Sequence, residues 1–298
     1  MGMLELSHVA KRFGEKQVLC DVSFSVPEYT IFGFVGQNGA GKTTAMKLML
    51  GLLPCDGGEI SVNGRKVCYG NTPTNQFVGY LPDVPEFYPY MSPAEYLNFC
   101  GEITGMGKKE VKARTEELLD LVGLRQEKGR IKGFSRGMKQ RLGIAQALFG
   151  RPKLLICDEP ASALDPAGRK ELLDILAMAK EQATVLFSTH ILSDVEHICD
   201  QVAFLHHGNV VLQGTVEEVR KSQKSAGTEL ELERPEDVEA LLLAFSFLEP
   251  VKKQSLLLRD DGRLPDILRF LADERLPILR IEKKEPALEE LFLEVVGK

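Results

Sequence analysis

The stretch that most limits what this chain can fold into is Gly36-Gln37-Asn38-Gly39-Ala40-Gly41-Lys42-Thr43, followed at once by Thr44. It meets the GxxxxGK[ST] pattern at every fixed position. An apolar run, Ile31 to Val35, precedes it, and the helix formers Met46, Lys47 and Leu48 follow. The order predicted is a strand, a glycine turn and a helix, which is what holding a phosphate requires. Glycines let the backbone wrap an anion without Cβ clashes, the N–H groups point inward, and a helix N-terminus adds a favourable field. In such a loop Lys42 reaches the β- and γ-phosphates of a nucleotide, and the Thr43 hydroxyl is a hard oxygen ligand for Mg²⁺.

Composition narrows the alternatives. The 298 residues are 44% hydrophobic and 27% charged, which is enough to bury a sizeable core in one large or two smaller domains. The net charge of −6 argues against a nucleic-acid-binding surface, which usually carries a basic excess. Six cysteines are scattered without a C-x-x-C pair, so a zinc site or a disulfide framework is not expected, and a reducing cytosol is the simplest setting. Met1 to Ala10 lacks the pattern of a signal peptide, and no apolar run reaches the roughly 20 residues needed to span a bilayer. Any work at a membrane is expected to pass through a partner.

Along the chain, residues 3–9 and 18–26 read as strands, with a turn at Lys11-Arg12-Phe13-Gly14. Phe13 there is either a core residue or an aromatic that stacks on a base. A hairpin is expected at Asn63-Gly64, and a strand over 76–81, broken by Pro82. Ser92-Pro93-Ala94-Glu95 is an N-cap, a proline at the first helical position and a capping-box glutamate; a second helix is predicted over 108–122. A helix over 142–149 follows Phe134-Ser135-Arg136-Gly137-Met138. Leu154 to Cys157 reads as a fully buried parallel strand ending in Asp158 and Glu159, where ligands of open α/β sheets bind. Asp158 is placed to bind Mg²⁺ directly or through water, and Glu159 to orient or deprotonate an attacking water. A helix over 167–182 precedes another buried strand, 184–187, which runs on into Ser188, Thr189 and His190. A helix over 191–200 and a hairpin at His207-Gly208-Asn209 then close the domain. A polar stretch from Arg220 to Gly227 reads as a linker. Strands over 229–233, 255–259 and 278–281 with helices over 235–245, 265–274 and 286–296 then make a small α/β domain without a chemical motif.

Together these residues resemble the ATP-binding subunit of an ABC transporter. Gly36 to Thr44 is similar to the family's Walker A motif and Leu154 to Glu159 to Walker B. Phe134 to Met138 resembles the signature usually written LSGGQ, Ser162-Ala163-Leu164-Asp165 the D-loop, and His190 the switch histidine. The resemblance implies an α/β fold, a P-loop NTPase ABC cassette with a helical insert subdomain and a small accessory C-terminal α/β domain. The expected boundaries are 1–219, with the insert at about 92–150, and 228–298. It implies ATP and Mg²⁺ as cofactors, with Phe13 stacking on adenine and Gly36, Asn38, Gly39, Ala40, Gly41, Lys42, Thr43 and Thr44 holding the nucleotide. Glu159 and His190 are the expected catalytic residues, and Thr43, Asp158 and Asp83 the expected metal ligands. It also implies two cassettes meeting head to tail, as a homodimer or heterodimer, so that Ser135, Arg136, Gly137 and Met138 of one close on the ATP held by Lys42 of the other. Closure would drive an integral membrane permease from the cytoplasmic face of the membrane.

Four positions depart from the family pattern. Arg136 and Met138 replace glycine and glutamine in the signature, a variant resembling drug-resistance exporters. Cys157 replaces the usual leucine before Asp158. Asp83 stands where the Q-loop glutamine is expected, either as a water-mediated Mg²⁺ ligand or as the cap of a turn beside Pro82 and Pro85. The alternative function is an ABC ATPase that remodels ribosomes or nucleic acid. Such proteins tend to carry two cassettes, a long coiled coil or a basic arm, and this chain shows none of these.

Overall fold

The computed structural model describes residues 2–70, 73–221, 227–284, 288–289 and 291–292. The chain divides into two compact units, Met1–Val216 and Glu217–Lys298.

The first unit begins with β1 (Leu4–Phe13) and β2 (Lys16–Val26), an antiparallel pair that is longer than its alternation suggested. The 11–14 turn is therefore confined to Gly14 and Glu15, and Phe13 ends a strand. After β3 (Ile31–Val35) comes α1 (Lys42–Met49), then β4 (Gly57–Val62) and β5 (Arg65–Lys66) joined through Asn63 and Gly64. Both turn residues have positive φ, 49° and 69°, as a two-residue hairpin of this twist requires. Residues 73–77 form a 3₁₀ turn, so β6 is only Val78–Leu81.

The insert consists of α2 (Pro93–Ile103) and α3 (Lys108–Leu121). α2 begins with a complete capping box: Ser92 N–H donates to Glu95 Oε2 at 2.8 Å, and Glu95 N–H to Ser92 Oγ at 3.3 Å. Such a cap is worth about 1 kcal/mol. α4 (Arg136–Phe149) starts six residues earlier than its apolar periodicity suggested. Ser135 Oγ accepts the Met138 N–H at 3.2 Å and satisfies the helix end. The last elements of this unit are β7 (Leu154–Cys157), α5 (Pro166–Ala179), β8 (Thr184–Thr189), α6 (Leu192–Ile198), β9 (Gln201–His206) and β10 (Asn209–Thr215); α7 (Val216–Lys221) begins at the boundary and belongs to the second unit.

The ten strands run in the order β5-β4-β1-β2-β10-β9-β3-β8-β7-β6. Strands β9, β3, β8, β7 and β6 pair in parallel, while β5, β4, β1 and β2 form an antiparallel arm. The parallel strands carry unbroken apolar runs because both faces are covered. Leu155, Cys157, Val185 and Phe187 point into a core shared with α2 to α5. Their neighbours Leu154, Ile156 and Leu186 point into a second core with Phe32, Phe34, Met46 and the antiparallel arm. Burying one such large side chain contributes about 1.5–3 kcal/mol. α4 lies hard against β6, where a Cβ on Gly79 would come 2.1 Å from the Ala147 carbonyl oxygen. This contact helps to fix where the loop after β6 begins.

The second unit contains β11 (Gly227–Leu232), α8 (Pro235–Ala244), β12 (Glu249–Lys252), β13 (Ser255–Leu258), α9 (Leu264–Asp273) and β14 (Ile278–Lys284). Its four-stranded sheet, β12-β13-β11-β14, is antiparallel and packs Leu230, Leu232, Leu256 and Leu258 with Val238, Leu241, Ile267 and Leu271 of the helices. The strand Glu249–Lys252 has no counterpart in the sequence reading, because all four of its residues are exposed and it shows no alternation. Arg220 and Lys221, expected in a linker, end α7; the rest of that stretch up to Ala226, and most of the helix expected over 286–296, lie outside the described residues.

Candidate functional site

The loop after β3 bends through Gly39 and Gly41, both at positive φ. Gly41 at 111° has no tolerance for a side chain, since a Cβ would lie 2.7 Å from Leu19 Cδ2. Gly41 is also the N-cap of α1, which has neither a capping side chain nor an acidic residue in its first turn. Free N–H groups at such a helix end favour an anion. Beside it is a cleft of about 660 Å³. Asn38, Gly39, Gly41, Lys42, Thr43 and Thr44 line it, together with Phe13, Asp83 and Glu159. Ala40 borders the adjoining cleft, and the Gly36 carbonyl faces Lys42.

Lys42 is nearly buried. Its Nζ donates to the carbonyls of Gly36 at 2.6 Å and Gln37 at 3.2 Å, and lies 3.0 Å from Glu159 Oε1. That last contact is an ion pair without hydrogen-bond alignment. Glu159 Oε2 is 2.9 Å from His190 Nδ1, so the carboxylate bridges the lysine and the histidine. β7 and β8 are adjacent and parallel in the sheet, which brings residues 158–159 beside 188–190. Glu159 has φ of 46°, a conformation that costs a non-glycine residue energy and persists only where neighbours hold it. Ser188 Oγ accepts the Glu159 N–H at 2.9 Å, and the Glu159 carbonyl accepts the Ser162 N–H at 3.2 Å.

Asp158 is buried. Its N–H donates to the Leu81 carbonyl, and its Oδ1 accepts the Ser188 hydroxyl at 2.8 Å. Ser188 thus ties both acids of the strand end together, a role that residue spacing alone did not reveal. Burial, with the Asp158 charge close by, pushes the Tyr80 hydroxyl up to about 12 and also raises the Cys157 thiol, so both stay neutral. A neutral, buried cysteine packs like a small apolar residue, which suits the substitution at this strand position.

Phe13 is 46% exposed at the cleft and is not a core residue. Lys11 Nζ lies 5.3 Å from its ring centroid. Lys16 and Val18 of β2 line the same end of the cleft, and no motif pointed to them. Base–aromatic stacking is worth about 1–3 kcal/mol, so Phe13→Ala is expected to weaken ATP binding by roughly 5- to 150-fold while leaving the fold intact. Equilibrium nucleotide titration measures this, and unchanged affinity would return Phe13 to a structural part.

The signature segment does not reach this cleft. Ser135, Arg136, Gly137 and Met138 line a separate one of about 430 Å³ with Leu164 and Asp165. Asp165 is the N-cap of α5 and accepts the Gly168 N–H at 3.0 Å. Asp83 touches both regions: it lines the Lys42 cleft and its Oδ1 accepts from Arg136 Nη2 at 3.3 Å.

Comparison with known proteins shows the family of the chain. The family described as "ABC transporter" matches residues 19–162, and "ATP-binding protein DrrA1-3-like, C-terminal domain" matches 214–296. An uncharacterized ABC transporter ATP-binding protein, YxlF of Bacillus subtilis, is 37% identical, with 99% of each chain covered. The bacitracin transport ATP-binding protein BcrA of Bacillus licheniformis is 31% identical over 99% of this chain and 97% of its own. A solved structure described as an ATP-binding subunit of an ABC transporter is 32% identical with a TM-score of 0.65, covering 74% of this chain and 92% of that one. The chain belongs to the ATP-binding proteins of ABC transporters. It is an ATP-hydrolysing transporter subunit of the drug-resistance type, and an ATPase that remodels ribosomes or nucleic acid is not favoured. Among the described residues no helix is long and apolar enough to cross a membrane.

Proposed function

We propose that the Lys42 cleft holds ATP and that hydrolysis there, completed by a second copy or a related cassette, powers a separate membrane permease, with export as the direction. The observation that carries this reading is the separation within one chain of two halves of a site. Lys42 and Glu159 line one cleft, and Ser135 to Met138 line another with Asp165. Head-to-tail pairing would bring each signature segment onto the other copy's nucleotide, with the N-terminus of α4 adding favourable potential for the γ-phosphate.

In this reading the phosphate draws Lys42 away from the two carbonyls, because a charge-assisted bond to phosphate is stronger than one to a neutral oxygen. Glu159 takes a proton from the attacking water. The new bond forms between the water oxygen and the γ-phosphorus, and the bond from that phosphorus to the β,γ-bridging oxygen breaks, leaving ADP and phosphate. His190 holds Glu159 in orientation through Oε2, and it becomes free to touch the phosphate as Glu159 moves. The hard oxygens of Thr43 and Asp158 fit Mg²⁺, which usually takes most of its ligands from phosphates and water. A metal there would neutralise charge on the phosphates. Asp83, whose Oδ1 accepts from Arg136 and Ser162, would join it through a bridging water.

In this reading the work is done at the cytoplasmic face of a membrane, and the link of BcrA to bacitracin makes an antibiotic-like cargo the first to try. Purification in mild detergent, followed by identification of the membrane protein that accompanies the chain, tests the pairing. A preparation in which ATPase activity and chain purify without any membrane protein would count against it.

A further inference from the structure

Two departures from the family pattern meet in space. Arg136 opens the signature helix α4, Asp83 lies in the loop after β6, and Arg136 Nη2 is 3.3 Å from Asp83 Oδ1. One turn further along α4, Gln140 is 1% exposed and its Nε2 donates to the Asp83 carbonyl at 2.5 Å. Gln140 Oε1 has no hydrogen-bond partner among the described residues, so that single bond to Asp83 is what satisfies its buried amide. The helix therefore grips Asp83 twice, by its carboxylate and by its backbone.

The charges around the Lys42 cleft show why this grip matters. Of the residues lining it, Lys16 and Lys42 balance Asp83 and Glu159 one for one, which leaves no positive excess for a polyphosphate. Arg136 supplies the excess by standing against Asp83 from outside the cleft. We propose that Arg136 is the counter-ion of Asp83 and a positioning residue for nucleotide binding. The place of the signature helix and the affinity of the cleft for ATP are thereby coupled within one chain. Swinging the start of α4 away leaves the Asp83 carboxylate with the neutral Ser162 hydroxyl and no counter-ion, facing the phosphates, and weakens their hold; by reciprocity, bound ATP favours the paired arrangement. This rests on the reading of the Lys42 cleft as the nucleotide site.

The test is a double-mutant cycle on the full-length chain, read as Kd for trinitrophenyl-ATP at low and high ionic strength, with thermal unfolding as the check on folding. An exposed ion pair of this kind is expected to make Arg136→Gln about two- to fivefold weaker in binding at low salt. The loss should shrink as salt is added. Arg136→Lys keeps the charge and should restore most of the affinity. Asp83→Asn removes the charge that needs compensating, so Arg136→Gln in that background should cost nothing further. An equal loss in both backgrounds, a loss that ignores salt, or no loss at all would overturn the proposal. Lys42→Ala tests the underlying reading separately: if nucleotide binding survives it, the cleft is wrongly assigned, whatever the cycle shows.

Discussion

Replacing Glu159 with glutamine is expected to stop ATP hydrolysis while leaving ATP bound. The amide matches the carboxylate in size and can still face Lys42 and His190, which lie 3.0 and 2.9 Å from the native oxygens. What it cannot do is take a proton. General-base catalysis is worth about 10²- to 10⁴-fold, so the turnover number should fall by that range with little change in nucleotide affinity. If two copies close on ATP and reopen on hydrolysis, the variant should also accumulate as an ATP-bound dimer. Phosphate release and size-exclusion chromatography with ATP and Mg²⁺ measure the two effects. A Glu159→Gln protein that turns over near the wild-type rate would remove Glu159 from the role of base.

Ser135→Arg should abolish turnover without weakening ATP binding to the monomer, because Ser135 lies outside the cleft that holds Lys42. The substitution also removes the cap of α4, at a cost of about 1 kcal/mol, so its thermal unfolding must be followed alongside. Lys42→Ala fails for the opposite reason, since it strips the buried cation from the cleft. An equal mixture of the two inactive proteins contains mixed dimers with one intact composite site. If sites work independently, randomly assorted symmetric pairs should recover about a quarter of the wild-type rate. Absence of recovery, with mixed dimers shown to form by crosslinking, would argue against one site working alone in a symmetric pair.

Much of this protein could be read directly from residue order, because the information is local. The GxxxxGKT run demands a glycine turn into a helix, and it forms one at Gly41. Ser92, Pro93 and Glu95 carry a helix start within four positions, and the capping box closes between those same residues. The apolar runs Leu154–Cys157 and 185–187 signalled strands covered on both faces, since a polar side chain there would lose water and need a buried partner, as Ser188 has in Asp158. Where local signals are weak, the reading slipped: β12 is exposed throughout, and the first turn of α4 carries no buried residue before Gln140 to mark its start.

The tertiary structure alone decided which of these local pieces touch. Lys42, Glu159 and His190 come from three distant segments, and they meet because β3, β8 and β7 are adjacent parallel strands whose carboxyl ends open on the same side. Asp83 looked like a turn residue or a metal ligand by itself, and its pairing with Arg136 depends on the packing of α4 against β6. A pairing of that kind has no sequence signature, because each residue type is set by a partner more than fifty positions away and the distance between them is fixed only when the sheet and the helix close together.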